Sequence, residues 1–238
     1  MFKKYISFGL ALLMIMSISL TSFAANSKNQ RSDYDEYIKF VERGILAEDI
    51  TFEYWKQLME TSYALEEILE ASGEFILVYD STGRATFPPY SLTKGDVFIT
   101  NGTSSAGILG HAGIAISSDE ILHIAGPGQH PDTITLSGWN AAYTPAGWTK
   151  VYRHSNANVA KKAAQWASDT YEGTSVEYVI SMDLSSTNET YCSKLVWQAY
   201  YYGPDEACAD GPTWGVRLPY DLPTSIHNLN LEKTYGQT

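Results

Sequence analysis

The sequence has few of the residues on which several common classes of protein depend. It contains two cysteines among 238 residues, too few for a disulfide scaffold or a four-cysteine zinc site. Basic residues are a minority, with 16 Lys and Arg against 27 Asp and Glu, which gives a formal net charge of −11. Because negative charge repels phosphate groups, we expect no nucleic-acid partner and no binding to an anionic membrane surface.

The sequence also shows no internal repeat and no low-complexity tract. What it does contain is 44% hydrophobic and 13% aromatic residues. This apolar content is enough for one sizeable core and is too high for a disordered protein. We therefore predict one globular domain with a smaller additional segment.

The first 24 residues have the pattern of a secretory signal peptide. Lys3 and Lys4 precede an apolar run over residues 6–20, and small residues follow at Ser22 and Ala24. The run is shorter than the about 20 residues that a membrane-spanning helix needs, which favours cleavage over an uncleaved anchor. We predict that residues 1–24 are removed and that the protein is secreted, either extracellular or associated with the cell wall, without stable membrane insertion.

Residues 25–73 are predicted to form an N-terminal helical arm of two amphipathic helices. The first helix starts near Ser32 and the second at Thr51, and neither can bury its apolar face alone. Residues 74–238 form the predicted catalytic domain, in which short β-rich runs and two further helices, near 159–171 and 190–202, alternate. The predicted fold class is α+β, an antiparallel sheet packed against helices. The predicted strands lie at residues 75–79, 96–100, 111–117, 120–125, 149–153 and 176–180.

Cys192 is the first candidate for chemistry, because it lies at or near the first turn of the last predicted helix. The positive end of the helix dipole favours the thiolate over the thiol, and the thiolate is the reactive form. Two other interpretations stay open at this point. A cysteine with apolar neighbours at helical spacing is often a small core residue, and two cysteines in a secreted protein can form a disulfide between Cys192 and Cys208.

Two histidines, His111 and His123, lie in consecutive predicted strands that a short turn can join into a hairpin. If the loop has an odd number of residues, for example Ser117 to Asp119, the two side chains lie diagonally on one face of the sheet. His111 would then take the thiol proton as a general base, and His123 would orient the His111 ring. Two unrelated core histidines would explain the same spacing.

A metal site is a further interpretation of the same residues. His111 and His123, together with Cys192 or His130, have the side-chain types that bind zinc. The sequence gives no compact ligand spacing for such a site, and we expect no metal and no organic cofactor.

Taken together, these motifs resemble the NlpC-type cell-wall peptidases of the papain-like superfamily. The segment beginning at His111 is followed by a second histidine, His123, twelve positions later, and the helix that follows Cys192 carries the rest of the resemblance. Cys192 comes after the histidines rather than before them, an order that resembles the circularly permuted, YiiX-like branch. The resemblance covers about residues 90–225 and implies a permuted papain-like fold with Cys192 as nucleophile, His111 as base and His123 as the orienting member.

The resemblance implies a secreted cysteine hydrolase that cleaves an amide bond through an acyl-enzyme. Its expected substrate is a peptidoglycan stem peptide or a related peptide. Lys194 departs from the acidic residue expected beside such a cysteine, which leaves the charge preference for substrate open. Two alternatives remain: an acyltransferase or lipid amidase with the same thiol chemistry, and a ligand-binding module of the same fold without catalysis.

Overall fold

The computed structural model describes residues 27–72, 78–79, 85–86, 90–103 and 109–236. The predicted signal peptide and residues 75–77 of the first predicted strand lie outside these ranges. The chain divides into two compact units, Met1–Glu36 and Tyr37–Thr238. The helices are α1 Ser27–Glu42, α2 Phe52–Glu70, α3 Leu136–Tyr143, α4 Ala157–Tyr171, α5 Cys192–Tyr202 and α6 Leu222–Ser225. The strands are β1 Val78–Tyr79, β2 Ala85–Thr86, β3 Val97–Thr100, β4 His111–Ala115, β5 Glu120–His123, β6 Asp132–Thr135, β7 Trp148–His154, β8 Glu177–Tyr178, β9 Glu189–Thr190 and β10 Leu229–Gly236.

The larger unit is built on a six-stranded sheet in the order β10-β7-β3-β4-β5-β6. Every neighbouring pair in this sheet is antiparallel. Helix α5 packs on β4, and α4 packs on α5. The predicted α+β class, an antiparallel sheet packed against helices, is therefore confirmed.

The central strands are buried on both faces, and their side chains alternate between two hydrophobic cores. Residues of one parity belong to the main core together with α5: Val97, Ile99, Ala112 and Ile114. Residues of the other parity pack around Trp139 of α3: Phe98, Ala115 and Ile121. The sheet thus separates an α5 side from an α3 side, and this separation sets where each site residue lies.

The part of the helical arm that belongs to the larger unit completes the main core. Phe40, Ile45, Trp55 and Leu58 are buried in the same core as α5. Backbone hydrogen bonds tie the segment between the two helices to Ile180, which donates to the Ile45 carbonyl over 2.8 Å. The prediction that these helices bury their apolar stripes against the following residues holds for residues 37–72.

Several boundaries differ from those predicted. Helix α1 starts at Ser27 rather than near Ser32, whereas Thr51 is the N-cap of α2 as expected, because its hydroxyl accepts from the Tyr54 amide. The strands β6 and β10 and the helix α3 were not predicted at all. Strand β6 is short and half exposed, so its sequence carries little hydrophobic alternation.

Candidate active site

The hairpin β4–β5 has the register that an odd loop requires. Ile114 pairs with Leu122 and Ala115 with Ile121, so residues 117–119 form the three-residue connection. The Ser117 hydroxyl holds this turn by accepting hydrogen bonds from the backbone amides of Asp119 and Glu120, over 3.1 and 3.0 Å. A serine in such a turn substitutes for a backbone acceptor.

This register places the two histidine rings in direct contact. His111 Nε2 and His123 Nδ1 are 2.8 Å apart, which is a hydrogen bond between two buried imidazoles. One nitrogen must donate and the other must accept, so the two rings cannot both be protonated on these atoms. If His111 carries its proton on Nε2, its Nδ1 lone pair is available to a thiol.

Helix α3 supplies the surface against which both rings pack, and sequence reasoning missed it. The His111 ring stacks on Trp139 with centroids 5.3 Å apart and an interplanar angle of 16°. Tyr143, one turn later, has its ring centroid 5.0 Å from that of His111. The Trp139 indole donates to the Thr149 hydroxyl on β7, which fixes the indole against the sheet. The sequence signal for α3 was Thr135, a capping residue whose hydroxyl accepts from the Gly138 amide.

Cys192 is the first residue of α5 and is only 1% exposed. Burial raises the pKa of its thiol to about 11, although the Ala112 amide, the Ser193 side chain and the amides of Ser193 and Cys192 act in the opposite direction. The position of Cys192 at a helix terminus predicts that the thiolate is favoured. That expectation is wrong for the resting protein, because desolvation of the charged sulfur outweighs the nearby N–H groups.

The Cys192 sulfur lies near the same residues as the two imidazoles but forms no hydrogen bond with either of them. One of the amides that interact with the Cys192 sulfur is that of Ala112, the residue directly after His111. His111 is the first residue of β4, where its ring stacks on α3 while α5 packs against the same strand, so the ring and the sulfur both lie at this end of the sheet. Among the described residues, no hydrogen bond joins this sulfur to either ring. Catalytic hydrogen bonds are often long without substrate and tighten when it binds.

Four tyrosine side chains lie close enough to Cys192 that the charge of its thiolate raises their pKa values: Tyr143, Tyr178, Tyr191 and Tyr220. Burial is the larger cause of the increase in each of them, and for Tyr143 the pKa reaches about 12. The surroundings of the sulfur are therefore aromatic, poor in water and neutral at physiological pH.

The structure decides between two of the open interpretations of the cysteines. Both are free thiols. The Cys208 amide donates to the Tyr200 carbonyl, near the far end of α5. Eight residues of helix, roughly 12 Å, separate Tyr200 from Cys192, beyond the roughly 7 Å Cα separation that a disulfide tolerates. The disulfide interpretation is wrong.

Within the described ranges, no group of three His, Cys, Asp or Glu side chains is placed to hold a metal ion. His130 is exposed, and its Nδ1 lies 3.0 Å from the Val176 carbonyl, away from the His111–His123 pair. The structure therefore gives no support to the zinc interpretation.

Lys194 does not face the site, although it is only two residues from Cys192. It is fully buried, and its ammonium donates to Glu189 over 3.3 Å and to the Ser181 hydroxyl over 3.4 Å. The carboxylate compensates for part of the cost of burying the ammonium. Lys194 thus anchors α5 to β9, and it does not set the charge preference for substrate.

The buried histidine pair makes the fold sensitive to acid. Burial, followed by the charge of His123, lowers the pKa of His111 well below its usual 6.5, and burial lowers the pKa of His123 to about 4, although Asp132 acts to raise it. Below pH 6.5 the unfolded chain therefore binds more protons than the folded one, and the free energy of unfolding falls. We expect a loss of about 3 kcal/mol between pH 6.5 and pH 5, measured by urea unfolding.

The variant His111→Gln/His123→Gln is expected to lose most of this dependence, whereas the control His130→Gln retains it. An acid dependence in the double variant equal to that of the wild type would contradict the assignment.

Gly110 lets the chain turn into His111. Its φ is +81°, and an added Cβ would lie 2.6 Å from ring atoms of Tyr220. Gly110→Ala should therefore combine backbone strain with a collision, and we expect it to lower the free energy of unfolding by about 3 kcal/mol. Gly128 is a matched control, because it has a φ of +77° and nothing within 4 Å of an added Cβ. Gly128→Ala should cost only about 1 kcal/mol; equal losses in urea unfolding would refute the collision.

The chain is similar in sequence to a known protein family and to a curated protein. A protein family described as "Lipoprotein N-acylation protein LnsA-like" matches residues 74–235. An uncharacterized 30.3 kDa protein from Bacillus thuringiensis is 39% identical over 176 residues. That match covers 69% of this chain and 65% of the relative, so the chain spans about two thirds of the length of this curated protein.

Among solved structures, the metalloprotein YiiX from Escherichia coli O157:H7 matches 62% of this chain and 100% of its own. The sequence identity is 15% and the TM-score is 0.47. The NlpC-type peptidase activity implied by the sequence resemblance stays a prediction.

Proposed function

We propose that this chain, which belongs to the family of LnsA-like lipoprotein N-acylation proteins, is a thiol acyltransferase that moves an acyl group from an ester to an amine. The observation that carries the proposal is the His111–His123 hydrogen bond at the end of β4, beside the buried thiol of Cys192. Cys192 is the proposed nucleophile, His111 the general base and His123 the orienting residue.

In the first half-reaction, the Cys192 sulfur attacks the carbonyl carbon of the acyl ester. The S–C bond forms, the ester C–O bond breaks, and the thiol proton passes through His111 Nδ1 to the departing alkoxide. Because the resting thiol is neutral, His111 must remove this proton during the attack. The amides at the start of α5 donate to the oxygen on which negative charge develops.

His123 shares the positive charge that His111 gains in this step. When His111 gains the thiol proton, its Nε2–H donates to His123 Nδ1, and the positive charge is shared between the two rings. Asp132 pairs with His123 across β5–β6, and its carboxylate favours the charged form of His123. This arrangement stabilises an imidazolium that burial alone would disfavour.

In the second half-reaction, a neutral amine attacks the thioester. The C–N bond forms, the C–S bond breaks, and a proton of the amine returns through His111 to the sulfur. Cys192, His111 and His123 are 1%, 2% and 6% exposed, and a water-poor site protects a thioester from hydrolysis. The aromatic surroundings of the sulfur also suit an apolar acyl chain better than a charged peptide.

Hydrolysis of an amide bond in peptidoglycan would use the same residues with water as the acceptor. This function stays a prediction, as does the peptide or peptidoglycan partner, and the family description favours the acyl-transfer alternative. We also propose that the protein acts outside the cytoplasm, on the strength of the predicted signal peptide at residues 1–24. No helix in the described ranges combines the length and apolarity needed to cross a bilayer.

The test is to incubate the purified protein with a phospholipid and a synthetic lipopeptide that has a free amino terminus. Mass spectrometry should detect an acylated Cys192 and an N-acylated lipopeptide, with little free fatty acid. Release of free fatty acid alone would identify a hydrolase. Cleavage of wall fragments with no acylated product would favour the peptidase.

A further inference from the structure

A group of side chains on the α2 side of the site has no role in the chemistry described above. We name it the acidic wall, and it consists of Glu66, Glu70, Asn101, Trp148 and Tyr220. The Asn101 amide donates to Glu66 over 2.8 Å and to Glu70 over 3.4 Å. The Trp148 indole donates to Glu70 over 3.3 Å. These bonds fix two carboxylates of α2 at the end of β3, next to the start of β4.

Tyr220 links the acidic wall to Cys192. Its ring centroid is 5.8 Å from that of Trp148, and its hydroxyl would be 2.8 Å from a Cβ at Gly110, the residue before His111. After burial, the charges of Glu66, Glu70 and Cys192 are the largest causes that raise the pKa of Tyr220. The hydroxyl of Tyr220 is therefore within electrostatic reach of both the carboxylates and the sulfur.

The Tyr220 hydroxyl is the polar end of an almost wholly buried side chain. Tyr220 is 2% exposed, and no group among the described residues forms a hydrogen bond with its hydroxyl. A hydroxyl that the protein leaves unbonded can both donate a hydrogen bond to a ligand and accept one from it. Its position therefore indicates a place for a polar group of a substrate.

The two carboxylates are not equally balanced by positive charge. The Lys150 ammonium, which donates to the Ser72 carbonyl, interacts with Glu70. Glu66 bonds to the neutral Asn101 amide, and within the described part of the chain it forms no ion pair. The negative charge that remains for a ligand is therefore mainly that of Glu66.

Building on the proposed acyl transfer, we propose that Glu66 and the Tyr220 hydroxyl form the subsite that binds the ammonium group of the acyl acceptor. An ammonium has three N–H donors and no acceptor, which matches a carboxylate and a hydroxyl oxygen. Bound there, the amine lies next to the acylated sulfur. It loses one proton to solvent, attacks the thioester carbon as the neutral amine, and passes a second proton to sulfur through His111.

If Glu66 binds the acceptor ammonium, its substitution should affect transfer to the acceptor more than acylation of Cys192. Glu66→Gln removes the charge but keeps the shape and the bond to Asn101. We expect it to raise the KM for the acceptor about 10-fold, the effect of one charge-assisted hydrogen bond. The rate at which phospholipid acylates Cys192 should change by a smaller factor than this KM. Tyr220→Phe should raise the same KM. Glu67→Gln, which removes an equal charge from the exposed face of α2, is the matched control.

The experiment measures acylation of Cys192 by rapid-quench mass spectrometry, and then transfer from the isolated acyl-enzyme to increasing amounts of acceptor. The proposal is overturned if Glu66→Gln leaves the acceptor KM unchanged, or if Glu67→Gln raises it equally. It is also overturned if both half-reactions slow to the same extent. A wild type that never forms acyl-Cys192 would instead refute the proposed function.

The source of the ammonium is resolved by comparing two acceptors, a lipopeptide with a free amino terminus and phosphatidylethanolamine. Both present a primary ammonium beside acyl chains, and the acceptor with the larger kcat/KM identifies the source. An N-acetylated lipopeptide should be inactive and should not inhibit the transfer. Inhibition equal to that of the free amine would show that the subsite does not read the ammonium.

Discussion

Replacing Cys192 with alanine is expected to abolish formation of the acyl-enzyme and to lower the rate of acyl transfer at least about 1,000-fold. The alanine removes the only atom that attacks the acyl carbonyl, and it removes little volume from the first turn of α5. Intact-mass measurement after incubation with phospholipid should show no adduct on the variant.

Two further variants serve as comparisons for Cys192→Ala. Cys208→Ser removes the other thiol, which is only partly buried, and should leave the adduct and the rate as in the wild type. Cys192→Ser retains a weaker nucleophile, and any acyl group that it accepts should be held as a slowly reacting ester. Transfer at the wild-type rate by Cys192→Ala would exclude a covalent intermediate on this residue.

His111→Gln should slow acylation of Cys192 by about 10² to 10⁴-fold, the range for loss of a general base. Glutamine is the suitable replacement because its amide nitrogen can donate to His123 in place of His111 Nε2, while it has no basic atom for the thiol proton. Because the thiol pKa is raised to about 11, the residual activity of this variant should increase with pH up to that value. Rapid-quench acylation rates between pH 6 and pH 10 measure this slope.

His130→Gln is the control for the histidine substitution, since it changes an exposed ring that bonds to Val176. Its acylation rate should match that of the wild type at every pH. A His111→Gln protein that folds and is acylated at the wild-type rate would show that another group accepts the thiol proton.

Much of the site was predictable because its signals are local. The strand pattern around His111 and His123 and the three-residue connection at 117–119 predicted the diagonal placement of the rings, and the structure has the two nitrogens 2.8 Å apart. The sequence predicted the last helix near residues 190–202, and it runs over Cys192–Tyr202, with Tyr191 as an N-cap that makes no side-chain capping bond. Side-chain periodicity and turn chemistry act within a few residues, so one sequence is enough to read them.

The remaining features depend on residues that are distant in sequence. The pKa of Cys192 follows from burial against the sheet and several tyrosines, most of which are distant from it in sequence. Trp139 and Tyr143 belong to an eight-residue helix, too short for periodicity to predict. The spacing of Glu66 and Glu70 is that of a solvated helix face, and it does not predict their contacts with Asn101 and Trp148.

The contacts of α2 have a practical consequence for anyone who expresses the protein. A recombinant fragment trimmed to residues 74–235, the span that matches the family, would lack Phe40, Ile45, Trp55 and Leu58, which are buried in the main core. It would also lose the hydrogen bonds from Asn101 and Trp148 to the glutamates of α2. Such a fragment should expose a hydrophobic surface and aggregate, so fragments intended for assays or crystals should begin before Tyr37.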